Sequence, residues 1–185
     1  MADIQPLLDA AADEAALKAL VNAPGAAERT ALHRAAGGNF TEICKLLIEK
    51  GATVDAADKA GRTPLLWACI GGHDGPCQLL LEADANPNAA TKSGMSAMHA
   101  AVTGGHLNCV KMLIWFGQEK GKEVDFAAKS DGKTALELAK EKKQEASPKI
   151  VNVIEHKIKK NGEGGKVTQE ELNDAEAGSA ACVVS

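Results

Sequence analysis

Thr30-Ala31-Leu32-His33-Arg34-Ala35-Ala36 returns as Thr63-Pro64-Leu65-Leu66-Trp67-Ala68-Cys69 and again as Ser96-Ala97-Met98-His99-Ala100-Ala101-Val102, each time after 33 residues. A fourth copy, Thr134-Ala135-Leu136-Glu137-Leu138-Ala139, follows after 38. The second half of the unit repeats with it, as Leu46-Leu47-Ile48, Leu79-Leu80-Leu81 and Met112-Leu113-Ile114. A period of this length leaves few folds open. One such unit cannot bury its own apolar face, so successive units must stack into a solenoid with one continuous core.

Each piece of the unit has a physical reading. Thr63 is a good helix N-cap, and Pro64 suits the first helical turn. The helix that follows is short and Ala-rich, which lets neighbouring units approach closely. Gly72 and Gly105 stand where a left-handed residue would end that helix, and Asn39 fills the position in the first copy. A second helix shows an apolar face through Ile43, Leu46 and Leu47. A Gly- and Asp-rich stretch then predicts a hairpin-like finger. The composition agrees. Aromatic residues make up only 3% and Tyr is absent, which suits a core of Ala and Leu on closely packed short helices.

The period, the T-P-L-x-x-A phrase, Gly72-His73, Gly105-His106 and the ending Leu47-Ile48-Glu49-Lys50-Gly51-Ala52 resemble ankyrin repeats. The resemblance covers residues 1–160. It departs from the family at Leu66 and Glu137, where His is preferred, and at Asp84, where Gly is preferred. An insertion of five residues lies around Gln118–Glu123, and the hairpin at Ala23–Arg29 is short. The expected organisation is an all-α solenoid with short hairpin fingers. It has an N-terminal cap (1–28), repeats at 29–61, 62–94 and 95–132, and a C-terminal cap (133–160). Polar outer faces come from Asp13, Glu14 and Lys18 at one end and from Lys142, Lys143 and Glu145 at the other. Residues 161–185 open on Gly162, Gly164 and Gly165 and read as a flexible acidic tail.

No pattern in the chain calls for catalysis, a cofactor or a metal. His33 and His99 occupy one repeat position two units apart, too far to share an ion. In ankyrin repeats this His hydrogen-bonds the neighbouring loop, and the resemblance implies that role here. Cys44 and Cys77 also share a repeat position, and adjacent helices pack too far apart for a bridge. They are expected as reduced core residues. Gly162–Thr168 lacks the glycine spacing and the Ser or Thr after Lys166 that a phosphate-binding loop needs.

Ankyrin repeats usually bind proteins through finger tips and the exposed face of the first helices. By position those residues are Lys59, Ala60, Arg62, Ile70, Lys92, Ser93, Met95, Thr103, Lys129 and Lys133. Charge reversal at Lys59, Arg62 and Lys92 is expected to weaken a protein partner without unfolding the stack. Trp115 and Phe116 form an alternative patch unless the insertion folds over them. The net charge of −4 argues against a nucleic-acid partner, and a monomer is expected.

The chain ends Cys182-Val183-Val184-Ser185, which resembles a C-a-a-X box of the farnesylated type, with Cys182 as the acceptor. Ala2 in place of Gly excludes N-myristoylation, and neither a secretory signal nor a membrane span is visible. Residues 161–185 carry −4 and residues 133–160 carry +4. One lipid chain anchors only marginally, so weak contact with an anionic membrane through the lipid and the basic cap is expected. The alternative is that the tail folds back on the cap. The leading expectation is therefore a prenylated adaptor, cytoplasmic or peripheral on the cytoplasmic face of a membrane, with a nuclear location also open. The second is a soluble assembly chaperone or stoichiometric inhibitor with no anchor.

Overall fold

A computed structural model describes residues 14–141, 147–162 and 166–177. Units begin where a hydroxyl can take up an N–H at a helix start. Thr63 Oγ1 accepts from the Leu66 N–H at 3.3 Å, and Pro64 opens the helix behind it. In the first and third repeats a His completes a reciprocal cap. The backbone N–H of Thr30 donates to His33 Nδ1 at 3.1 Å, and that of Ser96 donates to His99 Nδ1 at 3.3 Å. Glu137 does the same work with a carboxylate, accepting from the Thr134 N–H at 2.7 Å. These caps start the inner helices α2 (Ala31–Gly37), α4 (Pro64–Gly71), α6 (Ala97–Gly104) and α8 (Ala135–Glu141), which follow α1 (Glu14–Val21). Gly72 and Gly105 end α4 and α6 in the left-handed region at φ 66° and 75°. Asn39 takes the same conformation at φ 61°, and Asp84, in the place of a preferred Gly, does so at φ 69°.

The outer helices are α3 (Thr41–Glu49), α5 (Asp74–Glu82), α7 (Leu107–Glu119) and α9 (Ser147–Gly162). Inner helices pack on inner and outer on outer, so two rows run along the stack. Between the rows lies a core of Leu32, Leu65, Met98, Leu47, Leu80 and Leu113, with Ala36, Ala68 and Ala101 fully buried among them. Polar side chains tie each unit to the next. The imidazole Nε2 of His33 bonds the Arg62 carbonyl at 2.9 Å, and that of His99 bonds the Ala128 carbonyl at 3.1 Å. The bond the resemblance implies for this His, to the neighbouring loop, is therefore present. On the other side, Asn22, Asp55 and Asn88, each 33 residues from the last, accept from backbone N–H groups of Thr53, Asn86 and Asp125.

The insertion is absorbed mainly by lengthening a helix. α7 has 13 residues where α3 and α5 have nine. A two-stranded hairpin, β1 (Lys129–Ser130) with antiparallel β2 (Lys133–Thr134), forms the finger before α8.

The C-terminal boundary needs correction. Residues 166–177 were expected in a flexible tail, yet Gln169–Ala177 form helix α10, packed on α9. Val167 and Leu172 are buried. The cause is a polar joint that leaves no periodic trace. Gln118, itself buried inside the insertion, accepts from the Val167 N–H at 3.1 Å and donates to the Val167 carbonyl. The same Gln118 Oε1 accepts from the buried Lys157 ammonium at 2.9 Å, and Glu123 stands 3.7 Å from that ammonium. Lys160 pairs with Glu171 at 2.8 Å, so the acidic segment folds back on the basic cap as far as residue 177. The outward residues Asp13, Lys142, Lys143 and Glu145, and the tail from residue 178, lie outside the described residues. None of the helices among the described residues is long and apolar enough to cross a membrane.

Candidate functional site

The finger tip before α4 is organised by one carboxylate. Asp58 Oδ1 accepts from the N–H groups of Ala60 and Arg62 at 2.9 and 3.0 Å, which closes the turn. Asp58 Oδ2 accepts from Arg62 Nε at 2.9 Å and from the Trp67 indole N–H at 3.2 Å. Arg29 approaches it at 3.8 Å. Burial alone would raise this carboxyl, but the hydrogen bonds from Arg62, Ala60 and Trp67 outweigh it and hold Asp58 below its usual range. The Trp67 ring is clasped by two guanidinium groups, Arg29 at 4.5 Å and Arg62 at 4.4 Å from its centroid, a distance at which cation–π attraction acts.

Two grooves meet at this clasp. The larger, about 630 Å³, lies between successive fingers. Ala60, Arg62 and Ile70 line one side, and Lys92, Ser93, Met95 and Thr103 the other. Ile70 is 41% exposed, so an apolar floor stands open between the cations Arg62 and Lys92. The smaller groove, about 270 Å³, is lined by Arg29, Arg34 and Trp67 with Gly37 and Gly38. Arg62 walls the first groove and stacks on the ring that lines the second, so the two are continuous through one side-chain stack.

Seven of the ten residues expected by position thus share a single groove. The other three do not. Lys59 is exposed beside the finger, where its N–H bonds the Ala27 carbonyl at 3.0 Å. Lys129 and Lys133 sit on the β1–β2 hairpin, and Lys133 is paired with Glu141 at 2.6 Å. Trp115 and Phe116 are half-buried, pack against the core and meet each other edge-on at 4.6 Å. The expectation that Arg62 can be reversed without harm to the stack is corrected. A glutamate there would set a second carboxylate against buried Asp58.

Sequence reasoning passed over Asp58, Trp67, Arg29 and Arg34. A signal for two of them was present. Positions 34, 67 and 100 form one repeat column, and all three line the grooves. Asp58 read as a surface acid because the contacts that bury it come from a finger and from two other elements.

His33 and His99 are buried, and burial lowers both imidazoles below their ordinary range, against the opposing pull of the carbonyls they bond. They serve as neutral struts. The four described cysteines are unbridged, as expected for Cys44 and Cys77. Burial pushes Cys44 up to about 11. Three of the four gather in one place: Cys69 of α4, Cys77 of α5 and Cys109 of α7 have sulfurs within 4.8 Å of one another. Hydrogen bonding to Cys109 holds Cys69 and Cys77 above the usual thiol range, and their contacts favour the thiolate at Cys109.

A family model described as ankyrin repeats, in three copies, matches residues 7–91 and 77–162. No curated protein matches the chain.

Proposed function

Because the chain belongs to the ankyrin-repeat family, whose repeats serve protein–protein interaction, we propose that its groove between the fingers receives a segment of a partner protein. The groove itself carries this reading: an open apolar strip made by Ile70 and Met95, edged by Arg62 and Lys92. Such a surface suits an extended segment with apolar anchors flanked by acidic residues, because clustered anchors carry most of the energy and charge sets register and encounter rate. The Arg29–Trp67–Arg62 stack prolongs it toward a second acidic or aromatic group. The role is binding without catalysis.

The test is affinity capture from the source cell with the wild-type chain and with two surface variants. Ile70→Glu with Met95→Glu removes the apolar strip, and Lys92→Glu reverses the rim while sparing Arg62. Loss of the captured partner by folded variants supports the groove. Undiminished capture moves the site elsewhere.

The finer proposal is a prenylated adaptor, for a chain that naturally ends at Ser185. Cys182 would carry the lipid, and Lys159 with neighbouring basic residues would face anionic headgroups. Docking of α10 on α9 leaves a short link from residue 177 to Cys182, so the lipid would emerge beside the C-terminal end of the stack. Intact mass of protein made in a eukaryotic host decides this, since an unmodified Ser185 on most molecules excludes the anchor. The soluble chaperone or inhibitor is then the remaining reading.

A further inference from the structure

We propose that Cys69, Cys77 and Cys109, with Asp74 as fourth ligand, form a site for a divalent thiophilic cation of the zinc class. Two of its ligand spacings already match those of a tetrahedral centre. With Zn–S near 2.3 Å and Zn–O near 2.0–2.2 Å, ligand sulfurs stand about 3.8 Å apart and a sulfur and an oxygen about 3.5 Å apart. Here the Cys69 and Cys77 sulfurs are 3.8 Å apart, and Cys109 Sγ lies 3.6 Å from Asp74 Oδ1. All three sulfurs lie within 4.8 Å of one another, and the Asp74 carboxylate stands farther from at least one of them, so binding would draw it inward from the Cys109 side.

Packing does not demand sulfur at this seam. The equivalent positions one repeat earlier are Ala36, Cys44 and Pro76. Ala36, Cys44 and Pro76 are buried, so the neighbouring seam closes with one thiol. The equivalent of Asp74 there is Thr41, a neutral hydroxyl. Among the described residues, the second seam alone gathers three thiols, with a carboxylate against one of them.

Asp74 is also aimed. Its Oδ2 accepts from Asn108 Nδ2 at 2.7 Å, which turns Oδ1 toward Cys109. This is the outer support that orients ligating carboxylates. Asp74 is exposed while the three sulfurs are buried, so the carboxylate would meet an ion arriving from solvent and pass it to the thiols. On binding, the protons still held by the thiols leave to solvent. Three thiolates, one carboxylate and one divalent cation then sum to −2, the charge of a four-thiolate zinc site. Such a centre would pin α4, α5 and α7 together across two repeats.

The test uses the full chain, reduced and stripped with chelator, then titrated with cobalt(II) as the spectroscopic stand-in for zinc. Expected are a thiolate-to-cobalt charge-transfer band and intense tetrahedral d–d bands, saturating at one ion per chain and erased by zinc. Cys77→Ala should weaken binding by about tenfold or more, the loss that even outer-shell changes cause. Asp74→Asn should keep the thiolate band but weaken affinity and shift the d–d bands. Cys44→Ala and Cys182→Ala should change neither. The proposal is overturned if the wild-type chain shows no charge-transfer band, or if the band disappears in Cys182→Ala. Equal affinity in folded Cys77→Ala also overturns it. Should Cys77→Ala fail to fold, the surface variant Asp74→Asn decides, and an unchanged affinity and spectrum there overturns the four-ligand site.

Discussion

Replacing Asp58 by Ala removes the one acceptor that satisfies two finger N–H groups, the Trp67 indole and the Arg62 guanidinium. Removing one partner of a buried ion pair costs about 3–5 kcal/mol when the other is left dry. Here the Arg62 and Arg29 side chains are 28% and 34% exposed, so water recovers part of the loss, and about 2–3 kcal/mol is expected. Asp58→Asn keeps an oxygen for the finger N–H groups and loses the charge, so about 1–2 kcal/mol is expected. Urea unfolding measures both. With a slope near 2 kcal/mol per molar, Asp58→Ala should lower the midpoint by about 1–1.5 M. The pH dependence separates charge from shape. The folded-state carboxyl of Asp58 lies below its usual value, so the unfolded chain binds the proton more readily. Its contribution is complete above the ordinary Asp value near 4 and is lost as pH falls through the lower folded value. The gap between wild type and Asp58→Asn should therefore shrink from pH 6 toward pH 3. A cost under about 1 kcal/mol for Asp58→Ala, or a gap indifferent to pH, refutes the hub.

Burial lowers His33 and His99, so both favour the proton-free folded state. Stability should begin to fall as pH drops through about 6.5, the ordinary imidazole value, and a His33→Gln, His99→Gln chain should lack that slope in urea titrations from pH 8 to 5. Gly94 has φ 84°, and a Cβ there would come within 2.3 Å of the Lys129 carbonyl oxygen; Gly94→Ala should cost more than the ~1 kcal/mol of a strained backbone alone, read by thermal melting. Leu172→Ala, at a fully buried site on α10, should cost about 2–4 kcal/mol; a melting curve that matches wild type would return α10 to the status of a loose tail.

The repeated part of the fold was legible because local chemistry sets it. Thr63 and Pro64 start a helix wherever they stand, and Asn39 accepts a left-handed backbone at small cost, so short phrases at a fixed period were enough. The groove was half legible for the same reason: Ile70 and Thr103 occupy one column of the repeat, and the stack turns a column into a surface. Features that depend on meetings between elements were not legible. Trp67 belongs to the Thr63 phrase, but its role comes from Arg29 and Arg62, whose guanidinium groups lie over its ring. Cys69, Cys77 and Cys109 are spread over 41 positions and meet only because three helices share a seam. Among the described residues, the segment at α10 offers two buried apolar side chains amid its acids, Val167 just ahead of the helix and Leu172 within it. Its docking depends on Gln118, a polar residue inside an insertion.

That joint has a consequence for how such a chain can grow. Gln118 binds the segment leading into the last described helix, so the extra residues of the third unit and the C-terminal segment work as one closing device. A solenoid of identical units can lengthen by duplication at any seam, including its end. This one is sealed where Gln118 meets Val167 and Lys157. A copied unit placed after residue 132 would part Gln118 from both and leave a buried ammonium without its acceptor. Duplication is tolerable only upstream, within 29–94, where each seam is like the next. Variants gaining a 33-residue unit there should stay folded, while the same unit inserted beyond the third repeat should not.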